Sequence, residues 1–260
     1  MNDSLYIAAT GLHTQQIHVD TIANNLANVN TPGFKKGRVS FQDLVYREAA
    51  QGALVQENQA SGGAARGTGV GILALSKLFT GGELKQTDAP LDIAIRGDGF
   101  FEVTLPDGTH AYSRGGTLQV NRDGMLVTAD GYLLKPGIHV GVDYREISIK
   151  PDGRVLVRGR DQKEGSEAGR IDLVGFGDPS GLAALGENLY RPTERSGDAI
   201  YGRPDEEGWG AIAQGFVESS NVKLVDEMVN LMVAQRAYEM SVKVIQASDE
   251  MLAMSNNLRR

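Results

Sequence analysis

Residues 5–34 read LYIAATGLHTQQIHVDTIANNLANVNTPGF, and apolar side chains recur in this stretch every seven residues. One heptad position is occupied by Leu5, Leu12, Val19 and Leu26. A second position, three residues further along each repeat, is occupied by Ala8, Gln15, Ile22 and Val29. The pattern predicts a helix with a coiled-coil-like seam over about the first thirty residues. Pro32 ends this helix, because proline lacks a backbone donor and restricts the residue before it.

A second helix is predicted at the other end of the sequence, from about residue 222 to residue 257, where neither Gly nor Pro interrupts the pattern. One of its heptad positions is occupied by Leu224, Leu231, Tyr238, Ile245 and Leu252, and Met228 and Val242 lie four residues after two of them. Other apolar residues lie off the two seams: Ile7, Ile17, Val222, Val225, Val229 and Met232. Helices that pair along one side leave this second stripe uncovered, and identical subunits in a polymer would cover it. A helical hairpin that closes one domain within a single chain is the alternative.

Asparagines are concentrated at the end of the first helix, although asparagine is a mediocre helix former. A buried amide that must meet another polar group rejects wrong registers between packed helices. Asn24 and Asn28 are one turn apart and share a face, whereas Asn25 points about 100° away. Exposed amides that fray the helix end are the alternative. The predicted subunit-interface residues are Leu5, Leu12, Val19, Ile22, Asn24, Leu26, Asn28, Leu224, Met228, Leu231, Tyr238, Val242, Ile245 and Leu252.

Between the helices, residues 91–174 form short alternating stretches separated by Asp-Gly pairs at 107–108, 123–124, 130–131 and 152–153. Asp-Gly suits tight hairpin turns, so the middle is predicted to be an antiparallel β domain. The predicted fold class is mainly β with α-helical termini that pack as a coiled-coil-like pair. The predicted domains are a terminal helical core (1–33 and 222–260), a connecting region (34–90 and 186–221) with an extended arm at about 47–66, and a β-rich outer domain (91–185).

Composition excludes several classes of function. The 260 residues carry a formal net charge of −7, which argues against a nucleic-acid surface, and no apolar run is long enough to cross a bilayer. The absence of cysteine excludes disulfides and thiolate chemistry. The first residues lack the features of an ordinary secretory signal, which taken alone indicates the cytoplasm.

No motif predicts a catalytic, cofactor-binding or metal site. The stretch Gly67–Gly71 (GTGVG) lacks the spacing of a phosphate loop, and we expect a flexible turn there. His13 and His18 lie on different helix faces, and the acidic run 205–207 lacks the ligand spacing of a calcium loop. A pair of distant carboxylates with hydrolase activity stays open, since such acids need no local motif.

Three long stretches resemble the flagellar basal-body rod and hook family of axial proteins. They are IANNLANVNTPGFKKGRVSFQDLVY (22–46), TDAPLDIAIRGDGFFEV (87–103) and QGFVESSNVKLVDEMVNLMVAQRAYEMSVKVIQASDEML (214–252), in the family's order. The length of the chain, the segment 47–66 and the stretch ENLYRPTERSG are most similar to the distal rod members. A hook-like or proximal-rod paralogue is the alternative within the family, and a cell-wall hydrolase or glycan-binding module is the alternative outside it.

The resemblance implies a structural protein that self-assembles helically into the rigid distal rod, transmits torque from motor to hook and encloses the export channel. It implies terminal helices at the inner wall, a β domain outside, and an arm at 47–66 that stiffens the tube. It implies export through the flagellar type III apparatus without a cleaved signal, which replaces the cytoplasmic interpretation. The implied partners are other copies of the chain, the proximal rod proteins, the hook protein, the rings in the peptidoglycan layer and outer membrane, and the export apparatus. Nucleic acid, direct membrane insertion and cofactors are not expected.

Overall fold

A computed structural model describes residues 2–46, 66–159 and 165–257 of the chain. One helix lies at each end of the sequence and a mainly antiparallel β region lies between them, which confirms the predicted fold class. The extended arm predicted at 47–66 lies outside the described residues, apart from Arg66, which begins a strand.

The two helices are α1 (Asn2–Ala27) and α2 (Leu224–Asn257), and they pack against each other as predicted. Helix α1 ends at Ala27, and residues 28–33 form turns around Pro32, in agreement with the prediction that proline ends the helix. The first turn of α2 carries Asp226 and Glu227, whose negative charges favour a helix N-terminus.

The chain divides into two compact units. The first, called here the helical unit, consists of Met1–Leu26, Gly37–Leu75 and Leu224–Arg260. Besides the helices it contains β1 (Gly37–Tyr46) and most of β2 (Arg66–Lys77), which pair as a two-stranded sheet. The second, called the β unit, consists of Ala27–Lys36 and Ser76–Lys223. This division differs from the three predicted regions, whose boundaries stay a prediction.

The β unit is built from short strands. Those in its described part are β3 (Leu84–Gln86), β4 (Ile93–Arg96), β5 (Phe101–Thr104), β6 (His110–Ser113), β7 (Leu118–Val120), β8 (Leu126–Thr128), β9 (Leu133–Leu134), β10 (Tyr144–Ile149), β11 (Arg154–Gly159), β12 (Ser166–Arg170), β13 (Leu173–Gly175), β14 (Ala183–Gly186), β15 (Leu189–Arg191), β16 (Ile200–Gly202), β17 (Ala211–Gln214) and β18 (Phe216–Glu218). Seven of them form one antiparallel sheet in the order β14-β15-β6-β5-β9-β8-β7. Strands β10, β11 and β12 form a second sheet. Three two-stranded sheets remain in the described part of this unit, in which β13 pairs with β16, β4 with β17 and β3 with β18.

The Asp-Gly pairs form the tight turns that the sequence predicts. They connect β5 to β6, β7 to β8, β8 to β9 and β10 to β11. Their glycines, Gly108, Gly124, Gly131 and Gly153, all have φ between 74° and 92°. Residues with a β-carbon rarely adopt this conformation, so the pairs specify where the chain reverses.

The core of the β unit is formed by two clusters of buried apolar side chains. The larger includes Ile93, Phe101, Leu126 and Leu173, with the single tryptophan, Trp209, packed half-buried against it. The smaller is aromatic, with Phe100, Tyr112, Phe176 and Tyr190 among its members. Several of these rings meet edge to face, as in the pair of Tyr112 and Phe176 at 4.9 Å between centroids.

Candidate functional site

The two helices bury only a narrow line of side chains within the helical unit. On α1, the predicted seam residues Ala8 and Ile22 are buried, while Leu5, Leu12, Val19 and Leu26 are half-buried. Buried Thr14 satisfies its hydroxyl by donating to the carbonyls of Thr10 and Gly11 at 3.0 and 2.9 Å. The heptad pattern of α1 therefore marks the side of the helix that packs within the chain.

On α2 the buried line differs from the one that apolar residues indicate. Leu231, Val242 and Ile245 are half-buried, but Leu224, Met228 and Tyr238 are exposed. Glu227, Ala234 and Ser248 are buried instead, and they too are spaced by multiples of seven residues. Small and polar residues at this position carry no hydrophobic signal, so the sequence pattern alone missed it. The side chain of Leu252 lies outside the described residues.

A long apolar surface on α2 stays exposed in the single chain. It is called here the α2 apolar face, and its members, each between 46% and 70% exposed, are Leu224, Val225, Met228, Val229, Met232, Val233, Met240, Val244, Met251 and Met254. Val225 and Met232 lie roughly 180° and 160° around the helix from buried Ala234. On α1, Tyr6 and Ile7 are also exposed. Large apolar side chains exposed in this number along one helix favour a surface that binds another molecule.

The amide that organises the helical unit is that of Asn25, which is 1% exposed. Its Oδ1 accepts a hydrogen bond from the Gly37 backbone N–H at 2.7 Å, and its Nδ2 donates to the Gly37 carbonyl at 2.9 Å. The same Nδ2 donates to the Glu227 carboxylate at 3.2 Å. One side chain therefore connects α1 to the start of β1 and to α2.

The two asparagines of the predicted interface, Asn24 and Asn28, have surroundings that differ from those of Asn25. Asn24 is exposed, and half-buried Asn28 accepts a hydrogen bond from the Thr31 hydroxyl at 3.1 Å. Their role at a subunit interface stays a prediction. Asn25 was not among the predicted interface residues, although it follows buried Ile22 by three residues, a spacing that indicates the same helix face.

Within the β unit, Glu218 lies at the centre of a buried ion-pair network. Its carboxylate accepts hydrogen bonds from Lys35 Nζ at 2.7 Å, from Arg114 Nε at 2.9 Å and from the Gly82 backbone N–H at 2.7 Å. Lys35 also donates to the Thr80 carbonyl at 2.8 Å. The network joins the segment that follows α1 to the strand that precedes α2, and both segments belong to the resembling motifs.

Burial and charge act in opposite directions on this network. Burial alone raises the pKa of Glu218, but the charges and hydrogen bonds of Arg114 and Lys35 outweigh it and hold the pKa below its ordinary value of 4.5. Burial lowers the pKa of Lys35, and Glu218 offsets part of that effect. The Glu218 carboxylate therefore has a structural role. Its hydrogen bonds to two cationic side chains and one backbone N–H hold separate segments of the β unit together.

The glycine-rich stretch 67–71 does not form the expected flexible turn. It lies within β2, and a β-carbon on Gly69 would collide with the Thr10 hydroxyl of α1. The Thr10 hydroxyl also accepts a hydrogen bond from the Val70 N–H at 3.4 Å. Glycine is required here because the strand passes close to the helix.

Groups that suggest other chemistry are sparse in the part of the chain that the structure describes. No cluster of His, Asp and Glu there could hold a metal ion. No helix among those residues is long and apolar enough to cross a membrane. The acidic run 205–207 is exposed, and Glu206 forms an ion pair with Arg203 at 3.6 Å.

Three family descriptions match successive parts of the chain. The flagella basal body rod protein family matches residues 5–35, the flagellar hook protein FlgE/F/G D1 domain matches 94–157, and the flagellar basal body rod FlgEFG protein C-terminal family matches 213–258. Together they include most of α1, all of α2 and much of the β unit.

Curated relatives match over nearly their whole length. The flagellar basal-body rod protein FlgG of Borreliella burgdorferi is 44% identical over 264 aligned residues, which cover 100% of each chain. FlgG of Bacillus subtilis is 39% identical, with 99% of each chain covered. The rod protein FlgF of Caulobacter vibrioides is 33% identical, with 96% of this chain and 95% of the relative covered. The chain therefore belongs to the flagellar basal-body rod protein family, as a structural component of the distal rod.

Proposed function

We propose that the chain self-assembles helically into a rigid tube, which transmits torque from the motor to the hook and encloses the export channel. The observation that carries this proposal is the α2 apolar face, whose ten members are exposed among the described side chains of α2. Helices α1 and α2 pack against each other along one side. The apolar residues on the other side of α2 need another molecule to bury them. In a rod built from many copies of one chain, the helices of adjacent copies supply that neighbour.

A drive shaft requires many repeated contacts and no reaction centre. Each subunit adds the same buried area, so stiffness comes from the sum of weak interfaces along the tube. The predicted interface residues Leu224, Met228 and Tyr238 are exposed in the single chain and are available for such contacts. We accordingly propose no catalytic role, and a peptidoglycan-release assay on the pure chain should show no turnover. Measurable turnover would favour the hydrolase alternative.

The proposed partners follow from the place of a distal rod within the basal body. They are other copies of the chain, the proximal rod proteins on one side, the hook protein on the other, the surrounding rings in the peptidoglycan layer and outer membrane, and the flagellar export apparatus. The proposed location is the part of the rod that crosses the periplasm, reached through the type III apparatus without a cleaved signal. Support comes from the rod family, whose members are components of the basal body.

The central test introduces charge on the α2 apolar face. Val225→Asp combined with Met232→Asp should abolish polymer formation, because each carboxylate would be buried without a partner between subunits. Both residues are more than half exposed in the single chain, so the monomer should keep its helical circular dichroism. Gln119→Asp, at an exposed position in strand β7 of the β unit, adds the same type of charge to a strand instead of a helix and is the control. Sedimentation and electron microscopy measure the polymer, and normal rods from the double variant would overturn the proposal.

The proposed role of the arm at 47–66 is to make the polymer a rigid rod instead of a flexible, hook-like tube. We propose that it bridges neighbouring subunits, and that deleting it gives tubes that are curved or flexible. Electron microscopy of polymers from the deletion variant measures their curvature. Straight, stiff tubes without the arm would place the origin of rigidity elsewhere.

A further inference from the structure

Sulfur in this chain is concentrated on one helix. The sequence contains seven methionines and no cysteine, so thioethers are its only sulfur groups. Five of the seven, Met228, Met232, Met240, Met251 and Met254, lie on α2, and each exposes more than half of its side chain. Met125, in the β unit, is half-buried and lies where the backbone bridges to His139.

The five methionines share one side of α2. Counted at roughly 100° per residue from buried Ala234, they fall between about 120° and 260° around the helix. They therefore belong to the half of α2 that faces away from the side buried within the chain. Methionine is flexible and polarisable, and it packs well against neighbours of differing shape. This property suits a surface that must meet several differently oriented copies in a helical tube.

The same side chains are chemically vulnerable. A peroxide transfers one oxygen atom to the thioether sulfur, forming a sulfoxide; with hydrogen peroxide the O–O bond breaks and water leaves. The sulfur is oxidised by two electrons and the peroxide is reduced by two. The sulfoxide is polar, and methionine sulfoxide reductases return it to the thioether with two electrons from a dithiol reductant, which becomes a disulfide while the oxygen leaves as water. A polar sulfoxide buried without a hydrogen-bond donor opposes packing.

We propose that the methionines of the α2 apolar face are a reversible oxidation site that controls assembly. Peroxide modifies them in the unassembled subunit and blocks polymerisation, whereas assembly buries the same sulfurs and protects them. This inference rests on the proposed function, because it assumes that the α2 apolar face is covered by other subunits in the rod.

The test compares oxidation before and after assembly. Purified chain is treated with hydrogen peroxide as monomer or as polymer, and peptide mass spectrometry measures sulfoxide at each methionine. In the monomer we expect the five α2 methionines to oxidise faster than Met125, and in the polymer we expect their rates to fall at least about tenfold. Oxidised monomer should need at least about tenfold more protein to polymerise, and treatment with methionine sulfoxide reductases and a dithiol reductant should restore assembly.

A five-fold Met→Leu variant at 228, 232, 240, 251 and 254 is the matched control. Leucine is similar in volume and resists peroxide, so this variant should polymerise before and after treatment. If treatment blocks the variant as well, oxidation elsewhere is responsible and the proposal fails. If oxidised wild type assembles as well as untreated chain, the proposal fails while the proposed function stands. A chain that forms no polymer before any treatment contradicts the proposed function, and this inference with it.

Discussion

The two units of this chain use their apolar residues in different ways. The β unit buries them, and its described residues include eighteen in one buried cluster and six in another. Among the described residues of the helical unit, the buried apolar side chains are Ala8, Ile22, Val39 and Ala234, while the ten members of the α2 apolar face stay exposed. The β unit can therefore stabilise itself within one chain. The helical unit leaves apolar residues exposed, and these are available for contacts with other molecules.

The largest expected effect tests whether the helical unit depends on neighbours while the β unit does not. Leu26→Asp or Leu231→Asp places a carboxylate on a half-buried seam position, at a cost of several kcal/mol where the charge becomes fully buried. We expect loss of polymer by sedimentation. Trp209, the only tryptophan and part of the β unit, should keep its native fluorescence. Rods from both variants would mean that the terminal helices are not the core of the polymer.

The next effect concerns the contribution of the buried Glu218 network to the stability of the β unit. Glu218→Gln removes the negative charge between Lys35 and Arg114, both of which are at least 95% buried. Breaking a buried ion pair in this way costs about 3–5 kcal/mol. Denaturant unfolding followed by Trp209 fluorescence measures the loss. Glu146→Gln makes the same change in an exposed pair with Arg158 and should leave the free energy of unfolding nearly unchanged. Equal effects of the two substitutions would contradict a special role for the buried network.

Local patterns predicted the two helices and four tight turns of this fold, whereas the strands outside 91–174 and the long-range polar contacts escaped prediction. The heptads gave both helices and the Asp-Gly pairs gave four turns, because each depends on residues close together in sequence. The Lys35–Glu218 pair joins residues 183 positions apart, and no local pattern reports such a contact. The buried line of α2 was also missed. Its residues Glu227, Ala234 and Ser248 are charged, small and polar, so the apolar pattern indicated the neighbouring positions instead.

A smaller effect separates two adjacent asparagines of the helical unit. Asn25→Ala leaves the Gly37 N–H and carbonyl without their buried partner and removes a donor from Glu227, at a cost of roughly 1–3 kcal/mol. Asn24→Ala, on the exposed side of the same helix, should cost much less. Thermal unfolding followed by helical circular dichroism measures both. A larger loss from Asn24→Ala would restore the predicted emphasis on Asn24 and Asn28.

The smallest effect is a dependence on pH that belongs to the β unit. The pKa of Glu218 is lower in the folded chain than its ordinary value of 4.5, so between the two values the unfolded chain binds the proton more readily. The stabilisation from Glu218 is therefore complete above pH 4.5 and is lost as the pH falls through the folded pKa. A tenfold difference in acidity between the folded and unfolded chain corresponds to about 1.4 kcal/mol of folding free energy.

Other carboxyl groups also titrate in this range, so the useful quantity is a difference between two proteins. Asp107, Asp152 and Asp178 have lowered pKa values and contribute to the acid sensitivity of both wild type and Glu218→Gln. Subtracting the variant's free energy of unfolding from that of wild type isolates Glu218. The difference should be constant above pH 4.5 and should narrow on acidification, because protonated Glu218 resembles glutamine in charge. If the difference in free energy of unfolding stays constant down to the acid unfolding transition, the charge of the Glu218 carboxylate contributes nothing to the stability of the β unit.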